Sequence, residues 1–184
     1  STLPIPIKIA ILDKKGSLVK FKLNNSKLKY EHVYLLEKSN DNISLICNEK
    51  NILPSILRGF SAPVLLETDF KINEYVHILK FDNDSFNKWD AAQNLYLNCF
   101  YKECNLDVLI KTLRDLLLEK KVDYSLMSTL LELPSRTIFE KLSKTVDPIF
   151  IFKQKNNLMK KIGSSLQEVF ENKALHLMNS KIHD

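Results

Sequence analysis

The hydrophobic pattern of this chain changes period near residue 70. Before that point apolar residues recur every second position in short runs; after it they recur every three or four. A chain written this way is a β piece followed by a helical piece, since a strand turns alternate side chains to one face and a helix returns to the same face every 3.6 residues. Ile5–Leu12 is rich in β-branched residues and opens with Pro4 and Pro6, which suit the start or edge of a strand. Asp13-Lys14-Lys15-Gly16 is a turn signal, and the alternation over Leu18–Leu23 predicts a hairpin with the first run. Tyr30–Glu37 and Ile43–Cys47 read as further strands, separated by the polar turn Ser39–Asn42, and Pro63–Thr68 reads as a fifth. Short strands at this spacing predict an antiparallel sandwich.

The second part predicts helices with recognisable ends. Asp84 is placed as the N-cap of a helix whose face carries Phe86, Trp89, Gln93, Tyr96, Leu97 and Phe100. A helix over Leu106–Lys121 comes next, with Leu106, Leu109, Ile110, Leu113, Leu116 and Leu117 inward and Glu119-Lys120-Lys121 at its negative pole. Asp123 caps a short helix to Glu132, and Ser135 caps one to Thr145. Asp147-Pro148 starts a long helix towards Met178, with Ile149, Phe152, Met159, Ile162, Leu166, Val169 and Phe170 inward and Gly163 as its weak point. The fold class expected is α+β: an N-terminal incomplete antiparallel β-sandwich, then an α-helical hairpin or solenoid bundle.

Composition removes several function classes. With 3 Gly in 184 residues, and neither a Walker pattern nor G-x-G-x-x-G, phosphate-cradling loops are not expected. The net charge of +5 comes from 24 Lys and 3 Arg against 22 acids. Arg makes the bidentate phosphate and base contacts that Lys cannot, so a solvated basic surface is the better reading than a nucleic-acid site. No apolar run reaches the length of a membrane span, and no signal peptide is read at the N-terminus. Cys47, Cys99 and Cys104 read as free thiols of a reducing, cytoplasmic protein.

Metal and catalytic constellations are sparse. His32, His77, His176 and His183 form no H-E-x-x-H and read as solvent-exposed; Cys99 and Cys104 read as ordinary helical cysteines. Asp82 and Asp84 could meet a cation, but capping accounts for them better. Trp89, Tyr96, Phe100, Phe139, Phe150 and Phe152 have the spacing of core residues, and Met127, Met159 and Met178 are too scattered to form a groove. No catalytic, cofactor-binding or metal-ligating residue is assigned.

Two segments carry more. Leu53-Pro54-Ser55-Ile56-Leu57-Arg58-Gly59-Phe60-Ser61-Ala62-Pro63-Val64 leads out of a strand, and Arg58 there needs an acidic partner if it is buried. This string resembles the P-S-L-L-R-x-F-S-A-P-V segment of the aminopeptidase N (alanyl aminopeptidase) zinc metallopeptidase family, bacterial type. Asp82-Asn83-Asp84-Ser85-Phe86-Asn87-Lys88-Trp89-Asp90-Ala91-Ala92-Gln93 resembles that family's D-x-D-x-F-x-R-W-D/E-A-x-Q stretch, with Lys88 where Arg is common. Ile5-Pro6-Ile7 running to Leu12, Leu133-Pro134-Ser135 and Val146-Asp147-Pro148-Ile149 extend the resemblance over nearly the whole chain.

The resemblance implies part of an immunoglobulin-like β-sandwich domain over 1–69 and the beginning of a helical C-terminal domain over 70–184. The family's H-E-x-x-H, G-A-M-E-N and catalytic Tyr have no counterpart, so no catalytic residue carries over, and Arg58, Phe60, Trp89 and Gln93 read as architecture. The expected role is a non-catalytic scaffold segment of a cytoplasmic hydrolase of peptide catabolism, with no cofactor in this chain and zinc in the full-length enzyme. The expected partners are the missing catalytic and remaining helical portions of the parent, with neither nucleic acid nor membrane. The rival expectation is a free-standing, degenerate interaction module that self-associates through open sheet edges.

Overall fold

The computed structural model describes residues 3–101, 105–142 and 147–180. The expectations resting on Cys104, Val146 and His183, and the end of the helix drawn to Thr145, lie outside the described residues. The described chain forms strands β1 (Ile5–Leu12), β2 (Lys22–Leu23), β3 (Glu31–Leu36), β4 (Leu45–Ile46) and β5 (Leu53–Ile56), then a 3-10 turn (Arg58–Phe60). Helices α1 (Ile72–Phe81), α2 (Ser85–Phe100), α3 (Leu106–Leu117), α4 (Tyr124–Leu130), α5 (Arg136–Leu142) and α6 (Pro148–Ser180) complete it. The change of period is thus a change of structure. The chain divides into two compact units, 1–92 and 93–184, and the division falls inside α2.

In the first unit β1 is the centre of an antiparallel sheet ordered β3-β1-β5, and β2 and β4 pair separately. Ile9 and Ile11 project from β1 into a core with Phe21 and Leu23, while Ala10 and Leu12 are buried on its other face. A strand covered on both sides is what the unbroken Ile9-Ala10-Ile11-Leu12 run encodes.

Two strand expectations are corrected. The predicted hairpin lasts one step: Leu12 bridges Leu18 and Val19 N donates to Ile11 O. The chain then leaves, and Lys22–Leu23 pairs with β4. The reason is the core, since Leu23 on β2 and Phe21 just before it close over Ile9 and Ile11. The fifth strand is Leu53–Ile56, and Pro63–Thr68 is irregular. Pro54 is tolerated because Ile11↔Pro54 is a position of β5 whose amide faces away from β1.

The turn after β1 is built as the sequence predicts. Asp13 Oδ1 accepts from the amides of Lys15 and Ser17, and Gly16 turns with φ +82°. A Cβ at Gly16 would lie 2.0 Å from Cβ of Phe81, so the turn is packed on α1. His77 Nε2, also on α1, lies 2.9 Å from Asp13 O. Helix α1 carries no sequence start signal, because no Ser, Thr, Asp or Asn immediately precedes it. It starts instead with Glu74 accepting from the Lys71 amide at 2.7 Å, and it buries Tyr75, Ile78 and Leu79.

In the second unit α6 packs against α3 and α5. Leu109, Leu113, Leu116 and Leu117 face inward from α3 as predicted, though the helix ends at Leu117 rather than Lys121. Asp147 caps α6 by accepting from the amides of Ile149 and Phe150, and α6 runs through Gly163. The inward row of α6 is corrected at its start. Ile151, Leu158, Ile162, Leu166 and Val169 are buried, whereas Ile149, Phe152 and Met159 are exposed. Ile151 takes the inward place because it closes a cluster with Phe100 and Phe139.

Candidate functional site

The two matched segments meet in the first unit around Arg58. The chain leaves β5 through Leu57 (φ 60°), Gly59 (φ 61°) and Phe60 (φ 54°), all in the left-handed region. For Leu57 and Phe60 that conformation costs about 1 kcal/mol or more each. The sharp reversal turns the Arg58 side chain inward until only 3% of it is exposed.

A buried guanidinium needs charge and acceptors on each of its nitrogens. Arg58 Nε donates to Glu31 Oε1 at 2.8 Å, and Nη1 donates to Ser55 Oγ at 2.8 Å and to Asp82 Oδ1 at 2.7 Å. Nη2 donates to Asn83 Oδ1. Lys8 Nζ, 2.8 Å away, takes the other oxygen of Glu31. Asp84 fastens the neighbouring backbone: Oδ2 accepts from Gly59 N at 2.8 Å, while Oδ1 accepts from Asn87 N at 3.0 Å and caps α2 as expected. Asp82 Oδ1 also accepts from the Asp84 amide at 2.9 Å; its buried Oδ2 has no partner among the described residues. Beside the clasp, the ring centroids of Phe60 and Phe86 are 5.1 Å apart and those of Phe86 and Trp89 5.7 Å.

The electrostatics derive from these contacts. The hydrogen bond from Lys8, helped by Arg58, holds the Glu31 carboxyl below its ordinary range. Burial works against the Arg58 charge, but Asp82, Glu31 and Asp84 together outweigh it and the guanidinium is held more firmly protonated. Asp90, on α2, is pushed up to about 6 by burial.

The other candidates are dispersed. His32 corrects the expectation of a solvent-exposed side chain: it is buried, edge-on to Phe21, with Nε2 2.9 Å from Phe21 O. His77 is bound to the turn at Asp13, and His176 lines an open cleft of about 410 Å³ along α3 and α6 with Arg114, Glu168 and Lys173. Among the described residues, neither Cys47 nor Cys99 is in a disulfide. Gln93 Nε2 donates to Glu132 O at 2.9 Å, and Tyr96 Oη to Leu130 O at 2.8 Å, so both satisfy carbonyls at the end of α4. Among the described residues no three His, Cys, Asp or Glu side chains gather as a metal donor set. The described residues therefore do not fit a zinc ion. Nor, among them, is any helix long and apolar enough to cross a membrane.

Sequence reasoning requires an acid beside Arg58 without naming it. Glu31 and Asp82 fill that need from 27 and 24 residues away, and Ser55 and Asn83 complete the shell. Asp82 and Asn83 are legible as part of a matched segment; Glu31 looks like an ordinary strand residue.

A small antiparallel β domain joined to stacked helices, with this clasp at its exit, defines the class. Residues 1–69 match the DUF3458 model, described as an Ig-like fold, and residues 72–181 match DUF3458_C, described as ARM repeats; the chain belongs to this family. Its curated relatives are aminopeptidases. It is 28% identical over 182 residues to Aminopeptidase N of Haemophilus influenzae, covering 91% of this chain and 20% of that protein. It is 29% identical over 126 residues to Aminopeptidase N of Escherichia coli K12, covering 63% of this chain and 14% of that one. Legionella pneumophila aminopeptidase A, solved in complex with aspartic acid, shares the fold with a TM-score of 0.74 at 19% identity, over 92% of this chain and 20% of its own. The chain thus spans about a fifth of the length of the first of these relatives.

Proposed function

We propose that this chain is a non-catalytic scaffold segment of a zinc-dependent, cytoplasmic aminopeptidase N-type enzyme, whose whole removes N-terminal residues from peptides. Residues 1–69 serve as the immunoglobulin-like part and 70–184 as the start of the helical domain, a division that the two family matches support. The observation that carries the reading is the clasp. The residues that most resemble the family, Arg58, Asp82 and Asp84, turn polar groups to one another, to the side chains of Glu31, Ser55 and Asn83 and to backbone amides, with Asp82 Oδ2 alone left without a partner among the described residues, which is the work of a scaffold. The partners are the catalytic and remaining helical portions of the parent, with zinc held there.

The test has two arms. An antibody against these residues is expected to detect a species several times heavier than 21.4 kDa in the source cells. The purified chain is expected to leave an alanyl chromogenic substrate uncleaved with zinc supplied. Stoichiometric zinc uptake with turnover by the purified chain would overturn the proposal.

A further inference from the structure

Helix α2 is tied to different parts of the chain at its two ends. Its first turns are bound to the sheet unit. Asp84 Oδ1 accepts from the Asn87 amide and, at 3.0 Å, from Asn87 Nδ2, while Oδ2 of the same carboxyl holds Gly59 N at the exit from β5. Phe86 packs on Phe60, and Lys88 Nζ donates to Lys80 O on α1 at 3.4 Å. From Gln93 onward the partners change. Gln93 and Tyr96 reach the carbonyls of Glu132 and Leu130, and Phe100 lies in the cluster with Phe139 and Ile151.

Helix α1 goes with the sheet, although the hydrophobic period places it with the helices. His77 meets Asp13 O, Phe81 closes on Gly16, and Arg58 binds Asp82 and Asn83 just beyond the end of α1. Drawing α1 away from the sheet would part a buried guanidinium from a buried carboxylate, and such a pair is costly to break. The clasp therefore opposes an opening of α1 by itself and couples it to β5.

We propose that α2 is a shared, breakable helix: residues 72–92 open and close with the sheet, residues 93–100 open and close with α3–α6, and the opening of either unit unravels α2 only as far as the step from Ala92 to Gln93. Two helical turns stripped of their tertiary partners make too few hydrogen bonds to offset the cost of nucleation, so the released half does not persist. The half that keeps its partners stops the unravelling. The limit of stability thus lies at 92 and 93, well past the change of hydrophobic period and past the point where the two family matches part, at 69 and 72. This inference concerns contacts buried within the described residues and does not rest on the proposed enzyme context.

Native-state hydrogen exchange of the 184-residue chain, followed residue by residue, tests this with one variant in each unit. Leu79, on α1, and Leu113, on α3, are both fully buried. Leu79→Ala is expected to lower the protection of residues 75–81 and 88–92 together with that of β1 and β5, on the order of a hundredfold, while residues 97–100, α3 and α6 keep theirs. Leu113→Ala is expected to do the reverse, with residues 97–100 losing protection alongside α3 and α6 while residues 88–92 hold. If Leu79→Ala leaves the sheet unit unfolded, the partition is read directly, as no protection over 88–92 and full protection over 97–100. A loss that runs the whole length of α2 in either variant overturns the proposal. So does an α1 that keeps its protection when β1 and β5 lose theirs, or that loses it with α3 when Leu113 is cut back.

Discussion

The two compact units differ in what they bury. The first buries Arg58 and Asp82 with Ser55, Asn87 and His32; the second buries Gln93 and Thr112 among leucines, Phe139 and Ile151. The helices of the second unit satisfy most of their own backbone, so its polar side chains need only reach stray carbonyls, as Gln93, Tyr96 and Tyr101 do. The exit from β5 is irregular and left-handed, satisfies little of itself, and must be held by side chains. Where the backbone is regular, apolar burial suffices. Where it is irregular, stability rests on charge and on well-placed partners.

Arg58→Ala breaks that comparison most severely. It leaves the Asp82 carboxylate buried without its counter-ion, which costs about 3–5 kcal/mol. Hydrogen exchange should show β5 and residues 82–84 losing protection while α3 and α6 keep theirs; equal loss in both would mean the units share one stability. Leu166→Ala is the counterpart in the second unit. Leu166 is fully buried, and its truncation is expected to cost about 3 kcal/mol, read as reduced protection of α3 and α6.

A pH series sharpens the polar side. Asp90 is raised from 3.8 to about 6, so the folded state holds its proton more tightly than the unfolded state. Its contribution is complete below 3.8 and is lost as pH rises through 6, on the order of 3 kcal/mol in all. Glu31 is lowered and works the other way: its contribution is present above 4.5 and is lost as pH falls through its folded value. Urea titrations of Asp90→Asn should therefore lack the wild-type decline between about pH 4 and 6 and keep the acid loss. Gly163→Ala has the smallest effect. A Cβ there meets nothing within 4 Å among the described residues, and the change should raise the stability of α6 by about 1 kcal/mol, seen as slower exchange around that position.

Much of this is legible in the sequence because it is local. Asp84, Asp123 and Asp147 cap their helices through bonds to amides two or three residues on, and those spacings are written in the chain itself. The leucine face of α3 is readable for the same reason. The features that escape depend on distant residues. The hairpin partner of β1 is not readable because Phe21 and Leu23 answer to a core assembled from several strands. The inward row at the start of α6 is not readable because Phe100 and Phe139 decide which of several apolar rows turns inward. In the clasp, Arg58 announces its need for an acid, but nothing within a few residues can name Glu31.

The clasp also bears on the order of folding. Its guanidinium cannot be seated until β3, β5 and the α1–α2 turn have all arrived, since its bonds close loops of 24, 25 and 27 residues. Contacts that close so much chain form after the local helices and turns, so the clasp should be largely unmade in the transition state. Weakening it should then speed unfolding and barely slow folding. Stopped-flow traces of Asn83→Ala should show the change in the unfolding limb, which would make this small polar knot the latch that sets how long the first unit stays closed once it has folded.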